Sequence, residues 1–307
     1  MRSCPTPLVA LILVACSAAP TAPVAKVDLR QSTDWGAVIA KGYAVPPGAD
    51  AFELSKQLSA QLASPSPQSR DEHAFGILAN WILKQHVLSP EQMRFHCERW
   101  RANLQPGIGE RGTDTVLLRS FSALALSLLA AEDVQRPFLA PGEVRELLNA
   151  ALEYLHAERD LRDYDRTQGW IHATAHTADL LKFLARNAKV DASGLRAILD
   201  GIAAKLAVPM DGAFRMGEDE RLARAVVSIV LRAECDEAMF DAFLGELRVS
   251  LDAARAHEPW DPEHFAIEQN VLHCLRALHS VLVSAGSLPP QAERARDALA
   301  EWFGSVR

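Results

Sequence analysis

Apolar residues recur along this chain at three- and four-residue intervals, and the alternation expected of half-buried strands is hard to find anywhere. Ser69-Arg70-Asp71-Glu72 has the capping-box pattern ahead of the apolar positions Phe75, Leu78, Ile82 and Leu83. Ser89-Pro90-Glu91-Gln92 supplies an N-cap, a proline at the first helical position and an amide that reaches back. Asp261-Pro262 repeats that opening before Leu272, Leu275, Leu278, Val281 and Leu282. Further helix-like segments lie near 50–63, 113–131, 142–158, 168–187, 192–206, 217–233, 236–256 and 290–303. About eleven helices joined by short Pro-, Gly- or Asp-bearing turns predict an all-α fold of stacked antiparallel helix pairs, a HEAT-like α-solenoid or toroid. No sequence repeat of fixed period accompanies them, so a compact non-repeating helical domain is the competing arrangement.

The first residues follow another pattern. Arg2 precedes an apolar run from Pro7 to Ala15, with Cys16 next, which is the shape of a secretory signal. The run is too short for a bilayer, which takes ~20 apolar residues. Leu13-Val14-Ala15-Cys16 resembles the lipobox of bacterial lipoproteins. That resemblance implies a signal peptide over 1–15, lipidation at Cys16 and a membrane anchor of more than one acyl chain. Ser17, at the position where Asp would retain a lipoprotein in the inner membrane, implies the outer membrane, facing the periplasm. Residues 16–48 read as lipidated cysteine and an Ala/Pro-rich linker that partly docks, and 49–307 as one helical domain.

Composition narrows the function. Without residues 1–15 the chain keeps 292 residues, enough for a large core, and its formal charge moves from −7 to −8. No basic run appears, which argues against a nucleic-acid partner. Past Cys16 only Cys97, Cys235 and Cys274 remain, enough for one disulfide and too few for a disulfide scaffold.

The chemistry-bearing stretch is Gly169 to Leu181, where His172, His176 and Asp179 fall at i, i+4 and i+7 behind Trp170. On one helix they share an arc of about 60°. Two imidazoles and a carboxylate suit a divalent metal such as zinc with water in the fourth position. The intervening Ala173-Thr174-Ala175 lacks the glutamate of HExxH, and a hydrogen-bonded structural network explains the same spacing. Glu218, Asp219, Glu220 and Arg221 open a helix two elements later and are placed to face this stripe in a stacked array. The charge run from Glu158 to Arg166 forms the rim of any pocket beside Trp170 and His172, with Arg162 available for a carboxylate or phosphate. Gly107-x-Gly109-x-x-Gly112 has dinucleotide spacing without a preceding strand, so it reads as a loop whose Thr113 or Asp114 caps the next helix. Arg119, among apolar neighbours in that helix, needs a carboxylate partner from Asp114, Glu158 or Asp160.

Three blocks resemble one bacterial family, the domain-of-unknown-function 2785 family. They are Gly107–Val116 continuing through Arg119–Leu124, then Tyr154-Leu155 and Glu158–Arg162 leading into Gly169–Leu181, and finally Gly217–Ala223. The chain carries Asp163 where the resemblance would put glycine. The resemblance implies an all-helical fold and no particular activity. The expectation that follows is a membrane-anchored extracytoplasmic module that binds a protein or small molecule through the His172 stripe, with Trp170, Arg162, Glu218, Asp219 and Arg221 around it. The alternative is a metal-dependent hydrolase using His172, His176 and Asp179.

Overall fold

The computed structural model describes residues 33–210 and 212–306. The signal segment, the Cys16 lipobox and the first half of the expected linker lie outside the described residues. Twelve α-helices are described: α1 (Trp35–Ala40), α2 (Ala51–Gln61), α3 (Gly76–Leu83), α4 (Pro90–Ala102), α5 (Thr115–Gln135), α6 (Pro141–Ala157), α7 (Ala173–Arg186), α8 (Ala192–Leu206), α9 (Glu218–Val230), α10 (Glu237–Arg255), α11 (Pro262–Ser284) and α12 (Pro290–Ser305). A two-stranded ribbon, β1 (Tyr164–Asp165) and β2 (Gly169–Trp170), is inserted before α7.

The helices pack in two rows. In one, α3, α5, α7, α9 and α11 touch in succession, while α6, α8, α10 and α12 form the second row against them. Their amphipathic stripes meet between the rows, where Leu126, Leu147, Leu181, Leu199, Val226, Leu247 and Leu275 are buried. This is the stacked helix-pair arrangement that the short turns imply. The centre of the first row, α5, is long and apolar enough to cross a bilayer, yet 83% of that window is buried inside the protein, as befits a core helix.

Local chemistry sets most of the boundaries. Ser89 and Gln92 complete the capping box of α4, and Asp50, Asp191, Asp236 and Asp261 cap α2, α8, α10 and α11. The Ser69 box does not form. Residues 68–75 wind instead as a wider π-type turn that runs directly into α3 and carries Arg70 into the interior. The segment read as linker through residue 48 contains α1, whose Trp35 and Val38 are buried, and Trp81 Nε1 donates to the Tyr43 carbonyl at 2.7 Å. The residues from Trp35 onward cluster as one unit.

A buried polar pair ties α2 to α4. Ser55 donates its one hydroxyl proton to the Phe52 carbonyl, so at 2.7 Å it accepts from His96 Nε2–H. His96 Nδ1 is enclosed and unbonded, and the ring stacks on Trp100, whose Nε1 donates to Ser59. A second proton on this imidazole would have no partner. Burial, with Arg99 and Lys56 nearby, pulls its pKa down to about 4. The unfolded chain takes that proton near the ordinary value of 6.5, so it binds more protons than the fold between pH 6.5 and 4. His96 alone should therefore make stability fall by about 3 kcal/mol as pH drops through that window. Urea unfolding of the wild type and His96→Gln across the same range tests this: the variant should show the shallower slope, and parallel slopes would refute it.

Candidate functional site

The segment from Glu158 to Asp163, between α6 and the ribbon, is anchored from α5, from α8 and from the loop before α5. Arg119, buried on α5, donates through Nε and Nη2 to the Glu158 carboxylate at 2.6 and 3.1 Å. Its Nη1 donates to the Pro106 carbonyl at 2.9 Å, so the 106–113 loop lies directly over the guanidinium. Gly107 there has φ +72°, and a Cβ would stand 2.8 Å from Arg119 Nη1 and 2.6 Å from Thr115 Oγ1, so only glycine fits. Lys205 reaches from α8 to the Glu158 carbonyl at 2.9 Å, and its burial, partly offset by Glu158, lowers its pKa to about 8. Asp160, also buried, accepts from Gly112 N–H and from the Arg162 fork, while Arg162 Nη2 donates to the Thr113 carbonyl. Arg162 is thus largely committed within the protein. Of the three partners open to Arg119, the fold selects Glu158, while Asp114 accepts from Gln168 and does not cap α5.

The ribbon that follows replaces the first turn expected of α7. Asp165 Oδ1 accepts from the backbone of Thr167 and Gln168, and Arg70, almost a hundred residues earlier, donates to the carbonyls of Gln168 and Trp170. Its guanidinium also lies 4.5 Å from the Phe121 ring centroid. These contacts hold residues 168–170 extended, and α7 begins only at Ala173. His172 stands at its N-cap in the left-handed region, φ 50° and ψ 33°. The shared 60° arc expected for His172, His176 and Asp179 is therefore corrected.

Each of the three meets a different partner. His172 is buried, stacks on half-exposed Trp170 at 4.3 Å, and brings Nε2 within 3.0 Å of Glu218 Oε1, off the line a hydrogen bond needs. Burial pushes the Glu218 carboxyl up, but His172 and the Met216 N–H outweigh it and hold it below the usual range. Ser120 gives its proton to the Ile171 carbonyl and accepts from His176 Nδ1 at 2.8 Å, which fixes the neutral tautomer with Nε2 bare. Burial, with the positive field of His172, Arg221 and Arg70, holds His176 well below its ordinary pKa. Asp179 pairs with Lys182 and with Arg221 from α9. Asp219 is half-buried, and that burial raises its carboxyl. The acidic start of α9 does face the stripe, through Glu218 and Arg221; the His172 and His176 rings meet edge to face at 5.8 Å, while Asp179 is held by Lys182 and Arg221.

The ligand atoms of His172, His176 and Asp179 are not all within 4.8 Å of one another. Among the described residues, the His/Cys/Asp/Glu group whose ligand atoms all lie within 4.8 Å of one another is His257, Asp261 and His264, at the turn between α10 and α11. Among the described residues, Cys97, Cys235 and Cys274 are free and buried, and no disulfide joins them.

The concave feature beside the stripe is a cavity of about 370 Å³ between Arg111-Gly112, residues 159–163, residues 209–210 and 212–215, and Glu218. Four arginines line it. Arg162 is paired with Asp160, and Arg215 with Asp163 at 3.1 Å. Arg111 and Arg159 have no ion-pair or hydrogen-bond partner among the described residues. The charge run was legible as a rim, whereas Arg111 and the wall of residues 209–210 and 212–215 carry no motif. Arg70 and Ser120, which position the stripe, were hidden behind a capping-box pattern and an apolar helix.

Removing Glu158's charge should be the most damaging change in this region, because it leaves Arg119 buried and uncompensated. Glu158→Gln is expected to cost about 3–5 kcal/mol, read as a shift of the urea midpoint. A loss below about 1 kcal/mol, the scale of an exposed pair, would contradict the burial argument.

No curated protein and no solved structure matches the chain. A family model, described as a protein of unknown function, matches residues 104–280, which span the loop over Arg119, the charged segment, the ribbon, the stripe and α9. This chain is a member of the DUF2785 family.

Proposed function

We propose that the protein is a lipid-anchored binding module of the bacterial cell envelope whose helical array holds a small anionic ligand in the Arg111/Arg159 cavity. The observation that carries the reading is the pair of uncompensated guanidiniums on one concave surface of a chain whose formal charge is −7. Arginine forks bind carboxylate and phosphate with two parallel hydrogen bonds. The volume lies in the range of small-molecule sites, and Leu161, Met210 and Phe214 add apolar wall. The anchor rests on Arg2, the apolar run and Leu13-Val14-Ala15-Cys16, with Ser17 favouring the outer membrane. A zinc-dependent hydrolase built on His172, His176 and Asp179 is less favoured, because these three do not bring their ligand atoms within 4.8 Å of one another and Asp179 is paired with Lys182 and Arg221.

Phosphate, succinate and citrate are the probes for the cavity. At least one should raise the melting midpoint of the protein and give saturable binding by calorimetry. Arg159→Ala and Arg111→Ala should each weaken that binding roughly ten- to a hundredfold, the worth of one charged hydrogen bond, with the unliganded midpoint unchanged. No binding of any probe, or binding by either variant as tight as that of the wild type, would overturn the reading.

Anchoring is tested separately. Cys16→Ser should move the protein from the membrane fraction to the soluble one, and retention in membranes would refute lipidation at that residue.

A further inference from the structure

We infer that His257, Asp261 and His264 form a surface site for one divalent transition-metal ion, which joins the end of α10 to the start of α11. His257 Nε2 lies 2.8 Å from Asp261 Oδ2, and His264 Nδ1 lies 2.9 Å from the same oxygen. The set is two imidazoles and one carboxylate, the donor chemistry of zinc and its late first-row neighbours rather than of calcium or magnesium. Three protein ligands leave room for water, as in open zinc sites.

The backbone presets two of the three donors. Asp261 is the N-cap of α11, and its Oδ1 accepts from His264 N–H at 2.9 Å, so carboxylate and imidazole are fixed on one helical turn. Such a hydrogen bond to the non-coordinating oxygen is the support that ligand carboxylates ordinarily have. His257 arrives from the other side, two residues past Arg255 at the end of α10. Arg255 holds the turn closed through Glu268 at 2.9–3.0 Å and through the Val306 carbonyl.

One movement is required. The two imidazoles are parallel within 8° with centroids 3.5 Å apart, so their lone pairs lie in separate planes. An ion about 2.0–2.1 Å from a nitrogen in one plane stands too far off the other, so one ring must turn. His264 is hydrogen-bonded to Asp261, whereas His257 meets the oxygen only at ion-pair distance and is 37% exposed. His257 is the ring that swings. Each imidazole binds neutral, with its proton on the other nitrogen, and Asp261 supplies the negative charge that offsets the positive end of α11. Binding exchanges the ring stack for coordination bonds.

The test uses the untagged protein after treatment with chelator, titrated with zinc chloride near neutral pH. One zinc per chain is expected, with affinity reduced roughly tenfold or more in each of His257→Ala, His264→Ala and Asp261→Asn. Asparagine keeps the helix cap, so the last variant removes the ligand charge without removing the cap. His172→Ala and His176→Ala should bind zinc as the wild type does. Trp260, 71% exposed between the first two ligands, gives a second reading: nickel should quench its fluorescence, and the quenching should be lost in His257→Ala. Absence of zinc uptake, smaller losses in any of the three variants, or loss in His176→Ala with retention in His257→Ala would overturn the site.

Discussion

The buried pair of Arg119 and Glu158 is the constraint on which the rest of this region depends. Taking two charges out of water costs several kcal/mol for each ion, and only good geometry with further hydrogen bonds recovers it. Here Glu158 receives two guanidinium bonds and the Asp160 N–H, while Arg119 also reaches Pro106 and Thr115. Those contacts draw three chain segments to one point. The glycine-bearing loop must lie close enough to exclude a side chain at Gly107, and the segment after α6 must leave its helix at Glu158. Arg159 follows immediately, directed by that exit to the cavity wall. The cavity is thus a by-product of satisfying one buried charge.

A second set of polar contacts acts along α7. The Gln168 and Trp170 carbonyls take Arg70, the Ile171 carbonyl takes Ser120, and the Asp163 and Arg162 carbonyls take the N–H groups of Ile171 and His172. The backbone groups just ahead of the helix find partners, with a left-handed residue at His172. Stacking on Trp170 and the approach of Glu218 keep that residue in place.

These two networks explain what was legible in the sequence. Helix number and order follow from local periodicity, and caps such as Ser89 and Asp261 are local too, so they could be read directly. Arg119 was identifiable as a charge needing a carboxylate because its neighbours are apolar, and the face-to-face placement of α7 and α9 followed from alternate helices sharing a row. The ribbon could not be read. Gly169-Trp170-Ile171-His172 looks like the start of a helix, and the group that keeps it extended is Arg70, brought close only by the fold. The same contact disguised the Ser69 pattern, since a buried Arg70 is incompatible with an exposed first turn.

The difference between stripe and cavity is one of spent and unspent bonding capacity. His172, His176 and Asp179 form the most distinctive pattern in the sequence, yet the fold commits a carboxylate, a hydroxyl and a guanidinium to them. His176 Nδ1 and Asp179 are held by those partners, whereas His172 Nε2 and Glu218 Oε1 face each other buried and without a hydrogen bond. The arginines of the charge run resemble an ordinary solvated segment in sequence, and one of them, Arg162, does pair internally with Asp160, while Arg215 from the facing loop takes Asp163. Arg159, and Arg111 across the cavity, remain over once that pairing is complete. The proposed anion site is therefore found by subtraction: the stripe holds α7 to α5 and α9, and the unpaired arginines stand on the neighbouring loops.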